Sequence, residues 1–70
     1  MLSISIGDRI EFGYTNWKGE YAQRAAVVKE IAFGNVEWHE RNQWIMTAFD
    51  LDKRADRFFA MKDMCNVKKI

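Results

Sequence analysis

Residues 8–15 read DRIEFGYT, and this stretch alternates apolar and polar side chains along its length. The positions that share one face are the apolar Ile10, Phe12 and Tyr14, and those on the other face are Arg9, Glu11 and Thr15. Alternation with a period of two is typical of a β-strand that buries one face. The stretch therefore predicts a sheet protein, and the segments that follow it extend the pattern.

The loop and the long segment after this strand also favour β-structure. Residues 16–20, NWKGE, are predicted to form a loop in which Gly19 supplies a positive φ. The segment from Tyr21 to Phe33 contains alanines that suit a helix, yet its apolar positions do not keep to one helical stripe. We predict two strand segments there, joined by a bend or bulge near Val28 and Lys29.

The C-terminal half of the chain repeats short apolar runs separated by polar turns. The predicted elements are a third strand from Trp44 to Asp50, a polar turn from Leu51 to Ala55, a fourth strand from Asp56 to Ala60, one helical or 3₁₀ turn from Met61 to Met64, and an edge strand from Val67 to Ile70. Both faces of the third strand are partly apolar, which predicts an interior place in the sheet with Trp44 in the core. Short strands in an open sheet leave their edges exposed, so we predict a small rolled barrel.

Composition narrows the class of protein. Seventy residues make a single domain, 1–70, and Cys65 and His39 are the only cysteine and histidine, which excludes an internal disulfide and a zinc site. A chain this short buries little surface and has a small free energy of unfolding, so we expect it to form a homo-oligomer. A single cysteine suits the reducing cytoplasm, where we expect the protein to be located. Near-equal numbers of basic and acidic residues, 11 and 10, argue against bulk binding of nucleic acid. No apolar run or leader pattern indicates a membrane protein or a signal peptide.

A family resemblance rests on motifs spread from Phe12 to Met64. An arginine, Arg24, precedes a β-branched pair, the tripeptide Trp44-Ile45-Met46 occupies a later strand, and the run RFFAMKDM begins at Arg57. These motifs resemble the WYL domain, a small SH3- or Sm-like barrel. Ile45 and Val28 stand where that family has tyrosine and proline. The resemblance implies an all-β barrel of four to five strands with one short helical turn, which senses a nucleotide or nucleic acid.

A second resemblance concerns residues 33–44, FGNVEWHERNQW, and the run AFDLDK that begins at Ala48. This pattern is similar to small phage-encoded anti-defence proteins, which sequester cyclic ADP-ribose-type signals made by the Thoeris system. The resemblance implies ligand sequestration by a free-standing domain.

Arginines and aromatic residues are the candidate ligand-binding groups. Arg24 and Arg57 lie in strands, where two planar guanidinium groups can clamp a phosphate, or can instead pair with Glu11, Asp50 or Asp56. Trp38 is either a platform on which a base stacks or a lid over the barrel end, and Trp17 has the same two interpretations. The full predicted set of ligand-binding residues is Arg24, Phe33, Trp38, His39, Asn42, Gln43 and Arg57.

The polar residues near His39 do not predict catalysis. Glu37 and Glu40 flank the histidine, but two ligand types without a second cluster do not make a metal site, and no serine or cysteine lies nearby as a nucleophile. Asn42 and Gln43 either read base or ribose edges or satisfy the loop backbone. Residues 50–54, DLDKR, are predicted to be a solvated turn, because a calcium loop requires a glycine and a terminal glutamate.

Three functions follow from the sequence. We expect a non-enzymatic module that binds a phosphate-bearing nucleotide, without a cofactor or metal, through Arg24 and Arg57 beneath the indole of Trp38. The alternative is a regulatory module that docks on a larger protein through its aromatic edge. A small hydrolase built around His39 is the third and least supported hypothesis.

Overall fold

The computed structural model describes residues 4–34 and 42–70, and it is all-β with one 3₁₀ turn. The elements are β1 (Arg9–Thr15), β2 (Tyr21–Gly34), β3 (Gln43–Asp50), β4 (Ala55–Ala60), the 3₁₀ turn (Met61–Asp63) and β5 (Met64–Lys69). The strands form one antiparallel sheet in the order β4-β3-β2-β1-β5. The predicted strands and the 3₁₀ turn are confirmed, and β5 begins three positions before the predicted edge strand.

The long strand β2 contains the predicted bulge. Its register against β3 shifts between Val28 and Glu30, so that Lys29 is the extra residue. The N-terminal segment binds β2 at this point, since Gly7 N–H donates to the Val28 carbonyl at 2.7 Å and Val28 N–H donates to the Asp8 carbonyl at 2.9 Å. Along β2, Tyr21–Val27 pair with β1 and Ala26–Gly34 pair with β3, so the bulge lies just beyond the point where pairing with β1 ends.

The loop between β1 and β2 is closed by the side chain of Asn16. Its Oδ1 accepts hydrogen bonds from the backbone N–H groups of Lys18 and Glu20, each at 2.9 Å. Gly19 has a φ of 81°, which confirms the predicted positive φ. Glycine is the residue that adopts this conformation without steric cost.

Replacing Gly19 with alanine is expected to lower the free energy of unfolding by about 1 kcal/mol or more, because the new Cβ is strained at a positive φ. Urea denaturation followed by tryptophan fluorescence would measure the change. Gly34→Ala is the matched control: Gly34 lies in a strand, and a Cβ added there meets nothing within 4 Å. Equal losses in both variants would contradict the assignment of strain to Gly19.

The core lies on one face of the sheet, which we call the inner face. Its buried members, drawn from β1 to β4, are Ile10, Phe12, Tyr14, Ala26, Val28, Met46, Ala48 and Phe59. The rings of Phe12 in β1 and Phe59 in β4 meet edge to face with centroids 5.1 Å apart. Three strand spacings separate β1 from β4, about 14 Å in a flat sheet, so the contact requires the sheet to coil around its inner face.

The coiled sheet is not closed, and the predicted barrel is wrong in this respect. Within the described residues, β4 and β5 are the two edge strands and no ladder joins them. The 3₁₀ turn carries the chain from one edge to the other, and its residues contact β3. The apolar rings on the inner face therefore hold the coil, where a closed barrel would also have a final ladder of hydrogen bonds.

Trp44 was predicted to lie in the core, and this prediction is wrong. The Trp44 side chain projects from the same face of β3 as the buried Met46 side chain, yet Trp44 is 56% exposed. The reason is that pairing with β1 ends at Val27 of β2 and pairing with β4 ends at Ile45 of β3, so the β2–β3 hairpin continues beyond its neighbours. Trp44 instead packs edge to face on Phe33, with centroids 5.5 Å apart.

Over the two described segments, the chain contains no helix long and apolar enough to cross a bilayer.

Candidate functional site

A cavity of about 380 Å³ opens at one end of the inner face, and we call it the inner-face cavity. Side chains from β1, β2 and β4, the β1–β2 loop and the 3₁₀ turn line it. Among them are the aromatic or charged side chains of Tyr14, Trp17, Arg24, Asp56, Arg57 and Asp63. The cavity therefore lies where the apolar core gives way to charged residues.

Strand register explains why both predicted arginines reach this cavity. Arg24 lies directly opposite Phe12, and Arg57 lies directly opposite Ala48. Residues opposite each other in an antiparallel pair project from the same face, so both guanidinium groups extend from the inner face. The structure thus brings Arg24 and Arg57 to one cavity, although 32 positions of sequence separate them.

Arg24 is held in place by a buried carboxylate. Its Nη1 lies 3.5 Å from Oδ2 of Asp50, whose side chain is fully buried. The other oxygen of Asp50 accepts hydrogen bonds from the backbone N–H groups of Asp52 at 2.9 Å and Lys53 at 3.1 Å. Within the described residues, Nε of Arg24 is buried and has no acceptor. Arg24 is therefore positioned by one carboxylate, and the described part of the chain provides no partner for one of its N–H groups.

The burial of Asp50 corrects the prediction that residues 50–54 form a solvated turn. Asp52, Lys53 and Arg54 are exposed as predicted, but Asp50 faces inward and organises the turn. Arg54 N–H also donates to the Asp50 carbonyl at 2.7 Å. The carboxylate that pairs with Arg24 was among the partners that the sequence suggested for it.

Arg57 differs from Arg24 because it is exposed and makes no ion pair within the described residues. The neighbouring carboxylate of Asp56 lies 2.8 Å from Nζ of Lys29. Arg57 therefore lines the cavity with a guanidinium group that no charge within residues 4–34 and 42–70 neutralises by direct contact.

Tyr14 places a hydroxyl group at the wall of the cavity. Its oxygen accepts a hydrogen bond from Ala60 N–H at 3.0 Å. Burial raises the pKa of Tyr14 above its usual 10.0, the Ala60 hydrogen bond opposes this, Asp63 raises the pKa further, and Arg24 and Arg57 lower it. The phenol is therefore neutral near pH 7, and its O–H group remains a donor.

Trp17 supplies an aromatic surface at the rim. It lies in the β1–β2 loop, and its side chain is 79% exposed. Nζ of Lys18 lies 5.2 Å from the ring centroid. An exposed indole beside two arginines is suited to stacking on a planar ring.

Of the remaining predicted ligand residues, the three that the structure describes do not line the inner-face cavity. Phe33 packs on Trp44 at the extended hairpin, Asn42 is exposed, and Gln43 has a buried Oε1 without a partner in the described part of the chain. Trp38 and His39, with Glu37 and Glu40, lie outside the described residues. The prediction that the Trp38 indole lies over Arg24 and Arg57 therefore concerns a residue that the structure does not describe.

Of the ten described residues that line the cavity, only Arg24 and Arg57 belong to the predicted set, and Tyr14 and Asp63 are two of those that it lacks. Tyr14 was assigned to the apolar face of the first strand, and its position at the end of the run Ile10, Phe12, Tyr14 is the signal that could have placed its hydroxyl at the edge of the core. Asp63 has no such signal, because only the path of the 3₁₀ turn brings it to the cavity.

The arrangement has the chemistry of a binding site. It offers guanidinium groups, a phenol, an exposed indole and carboxylates around one cavity. In residues 4–34 and 42–70, no group of three or more histidine, cysteine or acidic side chains is placed to hold a metal ion. Cys65 is exposed, and in the β1–β5 ladder it lies opposite Gly13. The Tyr21 ring lies against Gly13, where a side chain at that position would project.

Comparison of the chain with protein-family models, with curated proteins and with solved structures finds no match.

Proposed function

We propose that this protein is a non-enzymatic module that binds a phosphate-bearing signalling nucleotide and acts by sequestering or sensing it. The ligand that the sequence resemblance favours is of the cyclic ADP-ribose type, and the biological setting is phage anti-defence in the cytoplasm. The observation that carries the proposal is the convergence of Arg24 and Arg57 on one cavity with Trp17 at its rim.

The phosphate-binding part of the proposal rests on the different states of the two arginines. Arg57 makes no ion pair among the described residues, so its guanidinium fork is available for two parallel hydrogen bonds to phosphate oxygens. Arg24 is oriented by Asp50 at 3.5 Å, and the described residues provide no acceptor for its buried Nε–H. A phosphate placed between the two arginines would meet one guanidinium fork that makes no such ion pair, at Arg57, and one that Asp50 holds in place.

The base-binding part rests on Trp17 and on the size of the cavity. Stacking of a nucleobase on an aromatic side chain is worth about 1–3 kcal/mol. The cavity volume of about 380 Å³ falls within the range of roughly 300–1,000 Å³ that is usual for small-molecule sites. Stacking on Trp17 and ion pairing with Arg57 together orient a nucleotide without breaking a bond.

The strand order supports a relationship to SH3/Sm-like barrels and to the WYL domain. Four strands follow each other as a meander, a 3₁₀ turn comes after the fourth strand, and the fifth strand pairs with the first. We propose the relationship on this order together with the sequence motifs. A homo-oligomer is part of the same proposal and is supported by the exposed pair of Phe33 and Trp44.

A thermal-shift panel of cyclic and linear adenine nucleotides tests the proposal. A ligand at 100 times its Kd adds about 2.7 kcal/mol to the free energy of unfolding. Because a domain of this size gains about 4–8 °C per kcal/mol, the midpoint should rise by more than about 10 °C. Absence of a shift with every nucleotide in the panel would contradict nucleotide binding.

A regulatory protein–protein interaction module is the second candidate. Phe33 and Trp44, 57% and 56% exposed, form an apolar pair on the extended β2–β3 hairpin. Aromatic residues are enriched in the cores of protein interfaces. A null result in the nucleotide panel, together with a partner whose binding is lost in Trp44→Ala, would favour this candidate.

A further inference from the structure

We propose that Tyr14 is a further ligand-binding residue, whose hydroxyl group donates a hydrogen bond to a phosphate oxygen of the nucleotide in the inner-face cavity. Tyr14 lines that cavity, although the sequence did not predict it as a ligand-binding residue. The inference rests on the proposed function, and it adds an uncharged donor to the two arginines.

The hydrogen bond that Tyr14 already makes leaves its own hydrogen atom available. The phenol oxygen accepts from Ala60 N–H at 3.0 Å, in a buried contact. A phenol can accept and donate at the same time, and its O–H group points away from the donor that it accepts from. Among residues 4–34 and 42–70, the structure contains no hydrogen bond that the Tyr14 hydroxyl donates. The O–H group can therefore bind an acceptor in the cavity.

Neighbouring rings hold the phenol in one position. The Tyr14 ring packs edge to face on Phe59, with centroids 4.9 Å apart, and on Phe12, with centroids 6.3 Å apart. Only 8% of Tyr14 is exposed. A donor that is already fixed loses little conformational entropy when a ligand binds, so its hydrogen bond contributes more to affinity than one from a mobile side chain.

Strand register places the phenol on the same part of the inner face as Arg24. Arg24 lies directly opposite Phe12, and Tyr14 is two positions further along β1 on the same face. Tyr14 and Arg24 are therefore diagonal neighbours across the β1–β2 ladder, a separation that aromatic and long side chains span. An oxygen bound by the Arg24 guanidinium group at the cavity is thus within reach of the phenol.

Phosphate is the ligand group that suits this donor. Its charged oxygens accept hydrogen bonds, and a hydrogen bond from a hydroxyl group to a charged oxygen is about twice as strong as one between neutral groups. Loss of such a bond weakens a Kd by about tenfold or more. Tyr14 would contribute this bond without adding a charge to the cavity.

Titration calorimetry with ADP tests the inference, at a temperature where circular dichroism shows every variant to be folded. Tyr14→Phe removes only the hydroxyl group, and we expect it to weaken the Kd for ADP by at least about tenfold. Tyr21→Phe is the matched control, because Tyr21 is the second of the two tyrosines and lies opposite Thr15, on the outer face. It should bind ADP with the affinity of the wild type.

A second control separates ligand binding from stability, because Tyr14→Phe also deprives Ala60 N–H of its acceptor. Ile10→Val lowers stability by trimming a fully buried core residue of β1 that does not line the cavity. Its thermal midpoint should fall, as should that of Tyr14→Phe, but its Kd for ADP should stay within about twofold of the wild type. An equal loss of affinity in Ile10→Val would mean that the affinity follows stability, and would overturn the assignment to Tyr14.

NMR of protein labelled with ¹³C at the tyrosine Cζ gives a readout at the hydroxyl group itself. Tyr21→Phe assigns the two signals, and ADP should move the Tyr14 signal while the Tyr21 signal stays in place. A Tyr14 signal that ADP leaves unmoved, or a Tyr14→Phe variant with the ADP affinity of the wild type, would overturn the inference.

The nucleotide panel distinguishes failure of this inference from failure of the proposed function. If the wild type does not bind ADP but another panel nucleotide raises its thermal midpoint, the role of Tyr14 is wrong and the proposed function stands. If no nucleotide in the panel binds, both are wrong.

Discussion

Replacing Asp50 with alanine is expected to lower the free energy of unfolding by about 3–5 kcal/mol, because it removes one partner of a buried ion pair. The Asp50 side chain is fully buried, whereas that of Arg24 is 16% exposed. The substitution leaves the Arg24 guanidinium group without its counter-charge, and leaves the N–H groups of Asp52 and Lys53 without their acceptor. A domain of this size has only about 4–10 kcal/mol of stability in total, so the variant should be close to unfolding at 25 °C.

Urea denaturation of three variants would measure this effect. Asp52→Ala, an exposed change in the same turn, should stay within about 0.5 kcal/mol of the wild type. A double variant of Asp50→Ala with Arg24→Met should recover part of the loss, because removing both partners of a buried pair costs less than removing one. A loss below about 1 kcal/mol in Asp50→Ala would mean that water, and not Asp50, stabilises the guanidinium group.

Replacing Arg57 with alanine is expected to abolish nucleotide binding and to leave the circular dichroism spectrum unchanged. Loss of hydrogen bonds from a charged donor to phosphate should weaken the Kd by at least about tenfold to a hundredfold. The fold should tolerate the change, since Arg57 is exposed and makes no ion pair in the described part of the chain. Arg57→Lys should bind weakly, because the ammonium group keeps the charge but lacks the planar fork.

Arg9→Ala provides the control for Arg57→Ala. Arg9 is also an exposed strand arginine, but it lies next to inner-face Ile10 and so projects from the opposite face of β1. Calorimetry should therefore give Arg9→Ala the affinity of the wild type. If Arg57→Ala unfolds the domain, the residue is structural and the proposed phosphate site is misplaced. If it binds nucleotides normally, the site lies elsewhere on the molecule.

Local patterns predicted most of the fold. The alternation in residues 8–15 identified β1 and its buried face, and the break in pattern near Lys29 identified the bulge, because both depend on neighbouring residues only. The exposure of Trp44 could not be read in the same way. The alternation of apolar and polar residues predicts which face of a strand a side chain occupies. Whether that face is covered at Trp44 depends on where the neighbouring strands β1 and β4 end, which no local pattern shows. Barrel closure depends in the same way on the relative positions of two edge strands.

The candidate site was partly predictable for the same reason. A charged residue within a strand is unusual, and this singled out Arg24 and Arg57, which the register then brings to one cavity. The burial of Asp50 was not predicted, since its neighbours in sequence are exposed and only the coil of the sheet encloses it. Asp63 reaches the cavity through the 3₁₀ turn, whose path is not encoded in any short motif.

The crossing from one sheet edge to the other has a consequence for how the chain assembles during synthesis. The β1–β2, β2–β3 and β3–β4 ladders are hairpins that can form in turn as each strand leaves the ribosome. The second edge of β1 is paired only when β5 is available, because Gly13 meets Cys65 after all the strands between them have emerged. Until then the backbone N–H and C=O groups along this edge of β1 are unpaired, so a nascent chain is most prone to pair with a neighbouring copy at this strand.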